Sequence, residues 1–162
     1  MFYIENEINE KQGWVIPVGD CHLGDKAFNK EAQAKLEGWI KWIRENKNAR
    51  VILMGDIFNT ATRVSKTSPF DQARDDAKEK NKYGWLEDEY AWGIRLFKPI
   101  ASQIVVALDG NHEHRLLDFA NYSIMNQFCR ELQIPYGGIS AVIIFRINKF
   151  NQGTSHGTYN EM

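Results

Sequence analysis

Three short polar clusters carry side chains that can bind metal ions, and each begins with a glycine. They are Gly19-Asp20-Cys21-His22, Gly55-Asp56 and Gly110-Asn111-His112-Glu113. Carboxylates, an amide oxygen and imidazoles suit Mn²⁺, Fe, Zn²⁺ or Mg²⁺, and the absence of a thiolate cluster argues against a structural zinc site. A carboxylate can bridge two ions about 3.5–4 Å apart, and such a pair clamps a phosphoryl group and supplies a bridging hydroxide. Asp56, in the middle cluster, is the natural bridge.

Each cluster follows a short apolar run that predicts a buried strand. The runs are Trp14–Val18, residues 51–54 and residues 104–108, and they are rich in Val and Ile. In open α/β sheets, ligands bind beyond the carboxyl ends of the strands. We therefore expect the three clusters to meet at one edge of a sheet. Glycine at the start of each cluster suits tight turns and close approach to an ion.

Segments with the apolar periodicity of amphipathic helices lie between and after these runs. Apolar residues recur at helical spacing over residues 30–46, over residues 86–97 before Pro99, and over residues 116–132. Ala141–Ile147 reads as a further strand. Strands alternating with helices predict an α/β fold with a largely parallel sheet. Residues 61–82 are polar and weakly periodic, and they are either a lid over the site or a solvated excursion.

Size and composition set limits on function. The chain has 162 residues and a formal net charge of −1, so we expect one domain over residues 1–162 and no global attraction to nucleic acid or membrane. The first twelve residues show no signal peptide, and no apolar run is long enough to span a bilayer. Two cysteines, Cys21 and Cys129, fit a reducing compartment. These features predict a cytoplasmic protein with no membrane partner.

In order and context, the three clusters resemble the first three signature blocks of the calcineurin-like metallophosphoesterases, and are similar to small phage and prokaryotic members. A later His156-Gly157 matches the family's fourth block. The resemblance covers about residues 14–157 and implies a layered α/β(β)α sandwich. It also implies a phosphatase, phosphodiesterase or nuclease that uses two divalent metal ions, with nucleic acid among the candidate substrates.

The resemblance also implies a role for individual residues. Asp20 and His22 would bind the first metal, Asp56 would bridge, and Asn111 and His156 would bind the second metal. His112 would act on the phosphoryl group or the leaving oxygen. Family members often orient this histidine with an acid three residues after the bridging Asp, where this sequence has Asn59. Glu113 or water would then substitute.

Other interpretations of single residues stay open. Arg115 is either a substrate-binding residue or a solvated residue in a first helical turn. His156 is either a ligand or a histidine near a chain end. Cys21 lies between two proposed ligands, but alternation at a strand end points its side chain away from them. The amidine hydrolases, another dinuclear class, favour a second acid after the histidine, and Gly24 occupies that place.

The family's final Gly-His-x-His block has no counterpart among the four histidines. We therefore expect a member that lacks C-terminal strands, with Ala141–Ile147 leaving a sheet edge that favours self-association. The alternative to an active hydrolase is then a truncated or degenerate member that keeps the fold and partial metal binding without catalysis.

Overall fold

The three predicted apolar runs form a parallel three-stranded sheet. The computed structural model describes residues 2–8, 12–61 and 85–147. Within these ranges the elements are β1 (Phe2–Ile8), β2 (Trp14–Val18), α1 (Lys30–Glu45), β3 (Ala49–Leu53), α2 (Trp85–Phe97), a 3-10 helix (Lys98–Gln103), β4 (Ile104–Ala107), α3 (Asn111–Ala120), α4 (Ile124–Leu132) and β5 (Ala141–Ile147). The mixed α/β fold with parallel sheets is confirmed, and it is consistent with the predicted sandwich.

The sheet has the strand order β2-β3-β4, so the middle strand is the one that precedes Asp56. Val18 pairs with Leu53, and Leu53 pairs with Ala107. Because the strands are parallel, their carboxyl ends lie at one edge. All four residues of β4 are buried, as expected for a strand covered on both faces. The edge that carries the polar clusters therefore rests on a rigid core.

β1 was not predicted, and it changes the place of β5. The two strands pair in parallel as a separate sheet, with Phe2 opposite Ala141 and Ile8 opposite Ile147. Residues alternate between more and less exposed along this segment, which ends in the buried Ile8. This alternation is typical of a strand, but the charged residues of the segment obscured it in the sequence. Arg50 of β3 ties the two sheets together through a hydrogen bond from its Nε to Asn6 Oδ1 of β1, 2.8 Å long.

The third predicted helix is two helices. The chain breaks at Asn121, which takes a left-handed conformation at φ 50° and caps α3. Ser123 then begins α4, since its hydroxyl accepts a hydrogen bond from the Asn126 N–H at 3.3 Å. The apolar stripe continues across the break because both helices pack on the same core, so the periodicity alone did not show it. The other two helices were predicted close to their observed bounds.

Some expectations fall outside the described residues. They include all of the 61–82 segment except Ala61, and His156. In the part of the chain that the structure describes, no helix is long and apolar enough to cross a membrane.

Candidate metal centre

Asp20, His22 and Asp56 meet at the carboxyl edge of the sheet. One ligand atom from each lies within 4.8 Å of those of the other two, and His22 Nε2 is 3.8 Å from Asp20 Oδ1. His22 and Asp56 are half-buried, whereas the Asp20 side chain is 87% exposed. Two carboxylates and an imidazole form a donor set that suits Mn²⁺, Fe or Zn²⁺. The residues present therefore fit a divalent metal ion.

All three residues take an unusual backbone conformation. Their φ angles are 52° for Asp20, 48° for His22 and 52° for Asp56. The left-handed region costs a residue with a Cβ about 1–2 kcal/mol. Such conformations persist only where the surroundings enforce them, and they cluster at functional sites. Here the loops enforce each other, because the N–H of His22 donates to the Asp56 carbonyl at 2.9 Å.

Two glycines allow the turns to pack this closely. Gly55 has a φ of 88°, and a Cβ on it would overlap the backbone of Gly110. A Cβ on Gly110 would overlap both the backbone nitrogen and the carboxylate of Asp56. The close contact between the second and third clusters therefore requires glycine at the first position of each.

Glu113 binds the second and third clusters together. Its Oε2 accepts hydrogen bonds from the N–H groups of Asp56 and Gly110, and its Oε1 accepts one from Phe58, each 2.9 Å long. The side chain is fully buried. Burial raises the pKa of Glu113, and the three N–H groups oppose that rise. Glu113 therefore fixes the backbone around Asp56 and does not take the proposed place of an acid that orients His112.

His112 lies beside the triad in a defined orientation. Its ring stands edge-on to that of His22, with centroids 4.4 Å apart, and its Nδ1 is 2.7 Å from the backbone oxygen of Asn59. A carbonyl only accepts hydrogen bonds, so Nδ1 carries the proton and Nε2 is left for another partner. The sequence predicted that Glu113 or water would orient His112, but the backbone oxygen of Asn59 does so.

The carboxylate of Asp56 also meets the start of helix α3. The N–H of His112 donates to Asp56 Oδ1 at 2.9 Å. The positive end of a helix dipole favours a negative charge at this place. The start of the helix therefore helps to hold the Asp56 carboxylate in position for a cation.

The remaining predicted site residues are less closely tied to the triad. Asn111 begins α3 directly before His112, and its side chain is exposed. Arg115 is half-buried, and its Nη1 has no hydrogen-bond partner within the described ranges. The thiol of Cys21 is directed to the Gly19 carbonyl at 3.8 Å. Burial, with the charges of Asp20 and Glu113, raises the pKa of Cys21 to about 12, which agrees with an inert thiol.

Comparison with known families decides the relationship. The family model described as calcineurin-like phosphoesterase matches residues 14–160. The chain belongs to the calcineurin-like phosphoesterases. This family acts on phosphoester bonds and depends on metal ions, and the triad of Asp20, His22 and Asp56 is a candidate site for one. No curated protein matches the chain closely enough to add a relative.

Proposed function

We propose that this calcineurin-like phosphoesterase hydrolyses phosphoesters with two divalent metal ions, and that Asp56 binds both. The observation that carries the proposal is the convergence of the Asp20, His22 and Asp56 ligand atoms within 4.8 Å. Asp20 and His22 would complete the first site. Asn111 and His156 would contribute to the second, on the strength of the family resemblance.

The protein supplies position and charge around the reacting group. When bound, the metal ions would polarise the phosphoryl group and activate water at neutral pH. The Asp56 carboxylate is held by the His112 N–H, so it is oriented before any ion arrives. His112 directs its Nδ1–H to the Asn59 carbonyl, which points Nε2 away from that carbonyl. In the doubly protonated imidazolium form, the second proton, on Nε2, would stabilise the phosphoryl group or pass to the leaving oxygen. Such a role is worth typically about 10²–10⁴-fold.

Side chains around the metal site would determine which phosphoester this family member binds. Arg115 is our candidate for binding a phosphate oxygen, since its guanidinium can form two parallel hydrogen bonds. A phosphomonoester, a phosphodiester and a nucleic acid strand all present such oxygens. The two free cysteines fit a reducing cytoplasm, where each of these substrates occurs.

Metal analysis and a small substrate panel test the proposal. The protein is stripped with a chelator and reloaded separately with Mn²⁺, Fe²⁺, Zn²⁺ and Mg²⁺. Hydrolysis of p-nitrophenyl phosphate, bis-p-nitrophenyl phosphate and single-stranded DNA is then measured. We expect two ions per chain and turnover of at least one substrate that a chelator abolishes. Metal binding without turnover would instead support the non-catalytic alternative, and one bound ion would contradict the two-metal site.

A further inference from the structure

The segment after β3 is held by two buried carboxylates, and only one of them belongs to a signature cluster. Glu113 accepts from the N–H groups of Asp56 and Phe58. Two residues further along the chain, the N–H of Thr60 donates to Glu89 Oε2 at 3.1 Å. On the other side, the Asn59 N–H donates to the Leu23 carbonyl at 2.9 Å. The segment from residue 56 to residue 60 is therefore fixed along its whole length.

Thr60 is an unexpected residue for its backbone conformation. It is fully buried and its φ is 48°, and a β-branched residue at positive φ is a genuine outlier. Glycine or asparagine would adopt this conformation at less cost. The hydroxyl supplies what glycine could not, since Thr60 Oγ1 donates to the backbone oxygen of His112 at 2.6 Å. The strain at Thr60 is thus coupled to the position of the histidine.

Glu89 lies on α2, the helix whose apolar residues predict ordinary packing against the core. It is buried, and its carboxyl group lies so close to Gly24 that a Cβ there would overlap it. Burial raises the pKa of Glu89 to about 8; the Thr60 N–H opposes the rise, while Asp25 and Glu113 add to it. Burying a carboxyl group is costly unless it makes hydrogen bonds. Packing alone therefore does not account for this residue.

We propose that Glu89 and Thr60 are positioning residues for His112 in the hydrolysis proposed above. Glu89 holds the backbone of Thr60, and the Thr60 hydroxyl holds the backbone of His112. The carbonyl of Asn59, the residue before Thr60, then accepts the hydrogen bond from His112 Nδ1–H. The pair sets the direction in which Nε2 points. The proposal rests on the proposed function for its kinetic consequence, whereas the orientation of the ring can be measured without it.

Paired substitutions separate positioning from packing. Thr60→Val removes the hydroxyl and keeps the branched shape, whereas Thr60→Ser keeps the hydroxyl. Glu89→Leu removes the acceptor, whereas Glu89→Gln retains one. We expect Thr60→Val and Glu89→Leu to lower kcat by about 10- to 100-fold with little change in KM, since a small misplacement of a reacting group has effects of this size. Serine and glutamine should restore most of that loss.

Gln103→Leu is the matched control for lost stability. Gln103 is also buried, and its Nε2 donates to the carbonyls of Ile43 and Asn46 at 2.8 Å. It precedes β4, at the opposite end of the sheet from the site. This variant should be less stable than the wild type while the folded protein keeps its kcat.

The imidazole itself gives a readout that needs no substrate. Long-range ¹H–¹⁵N spectra of the metal-free protein should show the Nδ1-protonated form of His112 and slow exchange of that proton with solvent. Thr60→Val and Glu89→Leu should speed the exchange, and Gln103→Leu should not. If the wild type hydrolyses no phosphoester, the proposed function fails and these spectra alone decide the positioning role.

Two results would overturn the inference. One is a Thr60→Val variant whose His112 spectrum and kcat are the same as those of the wild type. The other is an equal change in Gln103→Leu, which would show that any loss of stability disturbs the ring. If Glu89→Leu does not fold, Thr60→Val and its serine counterpart carry the test.

Discussion

The loop after β2 and the loop after β3 each bring an aspartate to the candidate metal site, but the two aspartates are held in place differently. Asp20 and Asp56 share a φ of 52°, so both turns use the same left-handed backbone at the carboxylate residue. The Asp20 side chain is 87% exposed. Asp56 is half-buried, with its N–H bound by Glu113 and its Oδ1 bound by the N–H of His112.

This difference indicates which of the two loops determines the conformation of the other. The N–H groups of Asp20 and His22 donate to the carbonyls of Gly55 and Asp56, at 3.2 and 2.9 Å. The first loop therefore takes its shape from the second, and the second takes its shape from buried carboxylates. Damage to the second loop should spread to both, whereas damage to the first should stay local.

Asp56→Asn should have the largest effect on function. Loss of the proposed bridging carboxylate should abolish metal-dependent hydrolysis and weaken metal binding by more than about 100-fold, beyond the range typical for residues that only support ligands. Asp20→Asn should weaken binding less, because Asp20 is proposed to bind only one ion. Calorimetric metal titration and kcat measure both. Unchanged turnover in Asp56→Asn would contradict the bridging role, and Asp118→Asn, on the exposed side of α3, controls for lost charge.

Gly110→Ala should destabilise the protein by about 2–3 kcal/mol, as overpacking of a close contact does. The new Cβ would overlap Asp56, and neither loop has room to move. Gly19→Ala is the matched change in the first loop. Its Cβ would lie 3.2 Å from Met54 Cβ, so we expect a cost below about 1 kcal/mol. Urea unfolding measures the pair, and equal losses would remove the distinction between the loops.

Glu89 contacts both loops, and its ionisation should appear in the stability of the metal-free protein. The pKa of Glu89 is raised from 4.5 to about 8, so the native state binds more protons than the unfolded state between these values. Stability should therefore fall as the pH rises from 4.5 to about 8. Urea unfolding of wild type and Glu89→Gln across this range checks the sign.

The glutamine variant cannot ionise, so its stability should fall less steeply. Some slope should remain, because burial also raises the pKa of Glu113. Parallel pH profiles for the two proteins would show that Glu89 does not titrate in this range.

Cys21→Ala should have the smallest effect. Its thiol is directed to the Gly19 carbonyl, although Cys21 lies between the two candidate ligands Asp20 and His22. We expect metal affinity within about twofold of wild type, since a direct or supporting ligand would cost about 10-fold or more. A tenfold loss in a metal titration would place the sulfur among the ligands.

Sequence alone predicted the features that depend on local pattern. Apolar runs ended by glycine gave β2, β3 and β4, and the parallel order placed Asp20, His22 and Asp56 at one edge. Asn29 begins α1 by accepting two N–H hydrogen bonds at 3.0 Å, and that helix was predicted within a residue of its observed end. These features follow from the preferences of neighbouring residues, which the sequence contains directly.

The tertiary structure decided the contacts that hold the site in place. The pairing of β1 with β5 joins the two ends of the described chain, and Glu113 and Glu89 reach N–H groups that lie 57 and 29 residues away in sequence, at Asp56 and Thr60. Neither glutamate differs in sequence from one on a helix surface. Burial gives each its role, because a carboxylate removed from water must find donors in the protein, and only the packed chain determines which donors are within reach.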